Sequence, residues 1–206
     1  MDARVVDEAS EAIRGGRTVV LPTDTVYGLC ATPYGEEPVR ALYRLKGRAE
    51  TQATALVAAS LELLFECVPE LRGRAGVTRA FLPGPFTLIL PNPAERFRWL
   101  TGSRPETIGV RVPELDGVSR QILDRVGALA ATSANLPGGP DPRKLEDVPD
   151  EIRKGCAALV DGGELGGLPS TVVDLTGPEP RVLREGAVPA AEALERLASA
   201  AARDSA

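Results

Sequence analysis

The sequence predicts an α/β fold: one domain built on a mixed, twisted sheet flanked by helices. Three observations carry this. Apolar runs of strand length, VVL at 19–21, FTLIL at 86–90 and TIGVRV at 107–112, are interleaved with segments of helical period. Several neighbouring strands have no helix between them, which does not fit a strictly parallel βαβ sheet. The 206 residues, 43% hydrophobic and 26% charged, suffice for one sizeable core. The domain is expected over residues 1–200, with a disordered tail at 201–206.

Val5, Val6, Ala9, Ala12 and Ile13 recur at helical spacing and stop at Gly15-Gly16, the mark of a glycine-capped helix. Val19, Val20 and Leu21 then form a strand that meets Pro22. Proline lacks an N–H, so it should end regular pairing and turn the chain off the sheet edge. Thr23, Asp24, Thr25, Tyr27 and Gly28 follow at once. This cluster is either a Thr/Asp turn or a strand end that delivers polar groups to a site. From Pro38 the spacing of Val39, Leu42 and Tyr43 gives a short helix ended by Gly47, so Lys46 and Arg48 flank a helix-terminating glycine.

A second strand is read over 53–59. Ser60 caps a helix carrying Leu61, Leu64, Phe65 and Val68, and a further helix ends near Leu82. The turn Pro83-Gly84-Pro85 introduces the strand at 86–90, which Pro91 closes. In the strand at 107–112 Gly109 breaks the apolar pattern, and Arg111 must snorkel or find an anion. Val118, Ile122 and Val126 mark a helix, and a small-residue strand at 128–132 runs into Ser133-Ala134-Asn135. A Gly/Pro loop at 136–142, a helix over 144–154, strands at 157–160, 171–175 and 181–183, and an Ala-rich helix from Pro189 complete the chain.

Composition excludes several chemistries. Histidine is absent, which removes Ser-His-Asp and Cys-His nucleophile systems and H-E-x-x-H metal sites. Cys30, Cys67 and Cys156 are widely spaced and suggest neither a disulfide framework nor a zinc ribbon, which points to a reducing, cytoplasmic setting. No apolar run approaches the ~20 residues of a membrane span, and the acidic start does not resemble a secretory signal. A net charge of −5 argues against a surface that clings to nucleic acid along its whole extent. Among 24 basic residues only Lys46, Lys144 and Lys154 are lysine.

Polar groups follow apolar strands at Thr23-Asp24-Thr25, Arg111, Thr132 to Asn135, and Ser170-Thr171, with Lys46, Arg48 and Arg184 in short motifs. Cations, hydroxyls and an amide without a nucleophile suit anion and polyphosphate recognition. Enzymes of this kind work by positioning and electrostatics. The chain has no G-x-x-x-x-G-K-[ST] loop, and the glycines at 162–167 lack dinucleotide spacing and read as a flexible loop.

Taken in order, PTDTVYGL, LKGR, PGPFTLIL, GVRVP, TSAN, PSTVVDL and LREGA resemble the YrdC-like family of L-threonylcarbamoyladenylate synthases across nearly the whole chain. The resemblance implies a single YrdC-like domain around a basic cavity, without the extra C-terminal domain of longer members. It further implies an enzyme that makes threonylcarbamoyl-AMP and pyrophosphate from L-threonine, bicarbonate and ATP, with Mg2+ bridging the phosphates. A partner transferase then modifies adenosine 37 of tRNA. By motif position, Lys46 and Arg48 are the catalytic cations and, with Ser133, Asn135 and Arg184, bind the nucleotide. Thr25, Tyr27, Arg111 and Ser170 form the threonine side. No protein-bound metal is expected.

The chain departs from the family pattern after Arg48, where Ala59 stands at the position of a histidine. Two alternatives therefore accompany the synthase reading: a paralogue that binds a nucleotide or adenylate without threonine-dependent activity, and a module for structured, double-stranded RNA. The arginine runs at 72–79 and 96–104 read chiefly as solvated faces.

Overall fold

The computed structural model describes residues 3–204. Among these, the elements in chain order are α1 (Ala3–Arg14), β1 (Val19–Pro22), β2 (Tyr27–Ala31), α2 (Glu36–Lys46), β3 (Ala55–Ala58), α3 (Leu61–Cys67), α4 (Ala75–Phe81), β4 (Phe86–Pro91), β5 (Thr107–Arg111), α5 (Gly117–Val126), β6 (Ala128–Ser133), α6 (Asp150–Gly155), β7 (Ala158–Leu159), β8 (Thr171–Asp174), β9 (Arg181–Arg184) and α7 (Ala190–Asp204). The strands form one sheet in the order β7-β1-β2-β6-β3-β5-β4-β8-β9. Pairs β1/β7, β3/β5 and β4/β8 are parallel and the others antiparallel, so the sheet is mixed.

Side chains alternate between faces along a strand, and here the two faces differ in kind. One buries Leu56, Phe86, Leu88, Ile108 and Val110 against Val39 and Tyr43 of α2, Leu64 and Phe65 of α3, and Phe81 of α4. At ~25 cal/mol per Å² of apolar surface removed from water, this layer is the main source of stability. On the other face α1 and α5 cover only one part, packing Val6, Ala9, Ile13, Ile122 and Leu123 on Leu21, Cys30, Val57 and Leu129. The rest of that face is left open.

Local chemistry sets the boundaries. Gly47 closes α2 in the left-handed region, at φ 66°, with its N–H on Arg44 O and Tyr43 O. Ser60 accepts from Leu63 N at the start of α3.

Three expectations are corrected. Pro22 does not end pairing; it is still opposite Tyr27, and the chain folds back as a β1/β2 hairpin with Val19 opposite Cys30. The proline is tolerated as the last residue of its strand. The helix expected over 144–154 is split into a 3-10 turn at Leu145–Asp147 and the one-and-a-half-turn α6, because Pro149 disfavours helical backbone at Val148. The strand expected over 157–160 is in register with β1 only at Ala158 and Leu159, with Ala157 N donating to Thr18 O and Val160 N to Val20 O on either side. Helix α7 continues to Asp204, into the stretch expected as a tail, and residues 205–206 lie outside the described residues. No described helix is long and apolar enough to cross a membrane.

Candidate functional site

A cavity of about 400 Å³ occupies the open part of the second sheet face. Its floor is made by residues whose side chains are small or missing: Gly28 of β2, Ala131 and Ser133 of β6, Ala55 of β3 and Gly109 of β5. Registers Ala55 opposite Ala131 and Ile89 opposite Gly109 set these positions side by side. Thr87 of β4 and Val172 of β8 extend the floor, and Thr23 and Thr25, the segment at 48–55, the loop at 101–104 and Pro169-Ser170 form the walls.

The lining is cationic and hydroxylic. Arg48, Arg104, Arg111 and Arg184 border the cavity, and no Asp or Glu is among its lining residues. Arg48 donates from Nη2 to Ala53 O at 2.6 Å and from Nη1 to Thr132 Oγ1 at 3.4 Å, and its buried Nε has no hydrogen-bond partner. Arg184 donates from Nε and Nη2 to Ser170 O at 3.1 and 2.7 Å, and from Nη2 to Ser170 Oγ at 3.0 Å. Ser170 Oγ in turn is hydrogen-bonded to Thr87 Oγ1 at 2.8 Å, either hydroxyl being able to donate. Burial lowers the pKa of both Arg48 and Arg184; for Arg184 the Asp141 charge opposes the shift, and the Arg111 and Arg48 charges add to it. An anion entering among these guanidinium groups relieves both costs.

Among the threonine-side candidates, Thr25, Arg111 and Ser170 line the cavity. Thr25 sits in a turn knotted by Thr23 Oγ1, which donates to Val26 O at 2.7 Å and lies 3.1 Å from Thr25 Oγ1. Arg111 has already found an anion, since its Nη2 donates to Asp24 Oδ1 at 2.7 Å. Tyr27 is elsewhere. Its ring is fully buried, and its one hydroxyl proton is divided between Gly163 O at 2.8 Å and Asp161 Oδ1 at 3.1 Å while the oxygen accepts from Gly162 N at 2.9 Å. It anchors the glycine-rich loop and takes no part in the cavity lining.

Among the nucleotide-side candidates, Arg48, Ser133 and Arg184 line the cavity, while Lys46 and Asn135 lie behind it. Lys46 is 3% exposed, and its Nζ donates to Ser133 O at 2.5 Å and to Asn135 O and Oδ1 at 2.8 Å each. All three ammonium protons are therefore spent on the Ser133-Ala134-Asn135 turn. Ser133 Oγ donates to the same Asn135 Oδ1 at 2.7 Å, and Asn135 Nδ2 to Gly139 O at 2.6 Å. Burial pushes the Lys46 pKa down to about 8, with Arg48 adding to the shift and Asp141 opposing it.

Ala59, to which the motif resemblance assigns the place of a histidine, is 8% exposed and packs in the apolar layer under α1 and α5. It does not line the cavity. Thr132, one of the polar groups at strand ends, also lines it, as do Thr87, Thr101, Ser103 and Arg104, to which the sequence assigns no binding role. For Thr87 a signal existed: it is a hydroxyl on an otherwise apolar strand. The loop residues 101–104 gave none, because their charge pattern is that of any solvated turn.

Residues 11–186 match the Sua5/YciO/YrdC family model, described as telomere recombination. The chain belongs to the Sua5/YciO/YrdC family. Within the family it is 36% identical over 186 residues to a Pyrococcus abyssi protein named threonylcarbamoyl-AMP synthase, an alignment spanning 89% of this chain and 54% of the relative. The crystal structure of P. abyssi Sua5 complexed with L-threonine superposes with a TM-score of 0.83 at 33% identity, covering 93% of this chain and 57% of that one. This chain thus spans little more than half the length of those relatives. Escherichia coli YciO, named as an uncharacterized protein, is 30% identical over 89% of both chains. Its crystal structure superposes with a TM-score of 0.76. The mixed α/β architecture is that of the Sua5 and YciO structures.

Proposed function

We propose that this Sua5/YciO/YrdC member is a threonylcarbamoyl-AMP synthase, a nucleotidyltransferase that consumes L-threonine, bicarbonate and ATP and releases pyrophosphate. The observation that carries the reading is the cavity itself: four arginines, a set of hydroxyls and no lining carboxylate. The relatives named as threonylcarbamoyl-AMP synthases and the threonine-bound Sua5 structure support it.

In this reading the threonine amine combines with bicarbonate to form a carbamate, with loss of water. A carbamate oxygen attacks the α-phosphorus, and the bond to the β-phosphate oxygen breaks as pyrophosphate leaves. Arg48 and Arg184 take up the spreading phosphate charge, and Ser133 directs hydrogen bonds to it. Arg111, Thr25 and Ser170 hold threonine, with Arg111 facing its carboxylate. Lys46, Asn135 and Tyr27 position the walls and do not touch substrate. Once the carbamate exists, the step needs no imidazole base. Magnesium enters with the triphosphate, because the lining offers hydroxyl and carbonyl oxygens but no carboxylate to hold an ion of its own. The product then serves a partner transferase that modifies tRNA; the synthase's own contact with RNA is weak or indirect.

The test is pyrophosphate release with each substrate omitted in turn. The synthase requires threonine and bicarbonate together, and Arg48→Ala and Lys46→Ala each abolish most of the rate. ATP consumption that ignores threonine, or its absence, favours a nucleotide-binding paralogue. That second reading is motivated by the full-length similarity to YciO. Steep salt-sensitive affinity for duplex RNA without turnover favours an RNA-binding module.

A further inference from the structure

The loop Thr101-Gly102-Ser103-Arg104 is a wall of the cavity to which no role has been given. Thr101, Ser103 and Arg104 all line it. The loop backbone is fixed at several points: Ser103 N donates to Thr51 O at 3.0 Å, Arg104 N to Thr101 O at 3.2 Å, and Thr107 N to Arg104 O at 3.0 Å. Gly102 lies so close to the segment after Arg48 that an added Cβ would stand 2.4 Å from Thr51 O and 2.7 Å from Ala53 N. Its φ of +62° also favours glycine. The 101–104 loop is thereby locked onto the strand of chain that follows Arg48.

Within this fixed frame the Arg104 side chain has a loose ion-pair partner, and its charge also reaches the Asp174 carboxyl, whose pKa it helps to lower. Its Nε meets Glu106 Oε1 at 3.2 Å, two residues away, with the two side chains 49% and 60% exposed. An exposed pair of this kind holds little energy, so a better anion can displace the carboxylate. Arg48, on the same wall, is already tied to Ala53 O and Thr132.

We propose that Arg104 is a further anion ligand, which exchanges Glu106 for the terminal phosphates of a nucleoside triphosphate or for the pyrophosphate that leaves. This deepens the synthase reading and rests on it for the identity of the polyphosphate. The fixed loop backbone makes the exchange a side-chain movement in the cavity wall that also carries Thr101 and Ser103.

The experiment is calorimetric binding of pyrophosphate, ATP and AMP to the full chain, without bicarbonate, so that it is independent of turnover. Arg104→Ala should weaken pyrophosphate and ATP about tenfold while leaving AMP unchanged. Glu106→Gln, which frees Arg104, should tighten pyrophosphate several-fold. Thermal melts of both variants should match wild type, since neither side chain is buried. Wild-type pyrophosphate affinity in Arg104→Ala, or an equal loss for AMP, overturns the assignment. Failure of threonine-dependent turnover with these binding shifts intact would instead count against the synthase reading alone.

Discussion

Asp24 and Arg111 tie the β1–β2 turn to the end of β5 through a 2.7 Å ion pair whose side chains are only 8% and 12% exposed. Burial pushes the Asp24 carboxyl up while the Arg111 charge pulls it down. Removing the carboxylate strands a buried guanidinium. Asp24→Ala should therefore cost about 3 kcal/mol, the low end for a broken buried pair because Arg111 borders the cavity. Urea denaturation reads the loss. The same variant should bind threonine more weakly, since Arg111 is no longer held in place.

Lys46 gives a pH signature. Its pKa in the fold is about 8, against 10.5 for an unperturbed lysine. The protonated form is disfavoured by folding, so this group's contribution to stability improves as pH rises from about 8 towards 10.5. Over the same rise the neutral amine keeps two protons for three acceptors, and the Ser133–Asn135 turn loses a cationic hold. ATP affinity should fall as the pH passes through about 8, and the step should vanish in Lys46→Met. Binding titrations from pH 6.5 to 9.5, a range set by that ~8 midpoint, check this.

Glycines in the C-terminal part of the chain should behave very differently from one another. A Cβ on Gly186 would stand 2.1 Å from Pro169 O and 2.7 Å from Ser170 C, whereas nothing lies within 4 Å of one on Gly166. Gly186→Ala should displace Ser170, the partner of Arg184, with a stability loss of about 1–3 kcal/mol and weaker ATP binding. Gly166→Ala should leave melting temperature and affinity at wild-type values.

Tyr27→Phe removes a hydroxyl that makes three hydrogen bonds to the 161–163 loop. The expected loss is about 1–3 kcal/mol in denaturation, with threonine affinity close to wild type. A large selective loss of threonine binding would instead return Tyr27 to the substrate side.

Ala59→His tests the family position directly. The site is packed beneath the helices, so the larger polar side chain should destabilise by about 1–3 kcal/mol and give no gain in pyrophosphate release.

Most of the element order was readable because most strands and helices announce themselves locally, as Gly47 and Ser60 do at the ends of α2 and α3. The β1/β2 hairpin was hidden because Tyr27 and Gly28 read as site residues, and a mixed stretch such as YGLCA has no clean alternation. Motif positions located Arg48, Thr25, Arg111, Ser133, Ser170 and Arg184 on one cavity. They could not separate these from Lys46, Asn135 and Tyr27, since a side chain that lines the cavity and one that props up its neighbour sit at the same ends of strands and helices. That distinction appears only in where each polar atom spends its hydrogen bonds.

The floor of Gly28, Ala55, Gly109 and Ala131 has one more implication. An added Cβ on Gly109 would meet only Thr87 Cγ2 at 3.8 Å and Ala55 Cα at 4.0 Å, ordinary contacts that strain nothing. A Cβ on Gly28 would stand 3.2 Å from Thr23 Cγ2, so it is at Gly109 that the depth of the cavity can be changed by one methyl without crowding a neighbour. Capacity can be retuned here by point substitution, on a scaffold whose folding is secured from the opposite side.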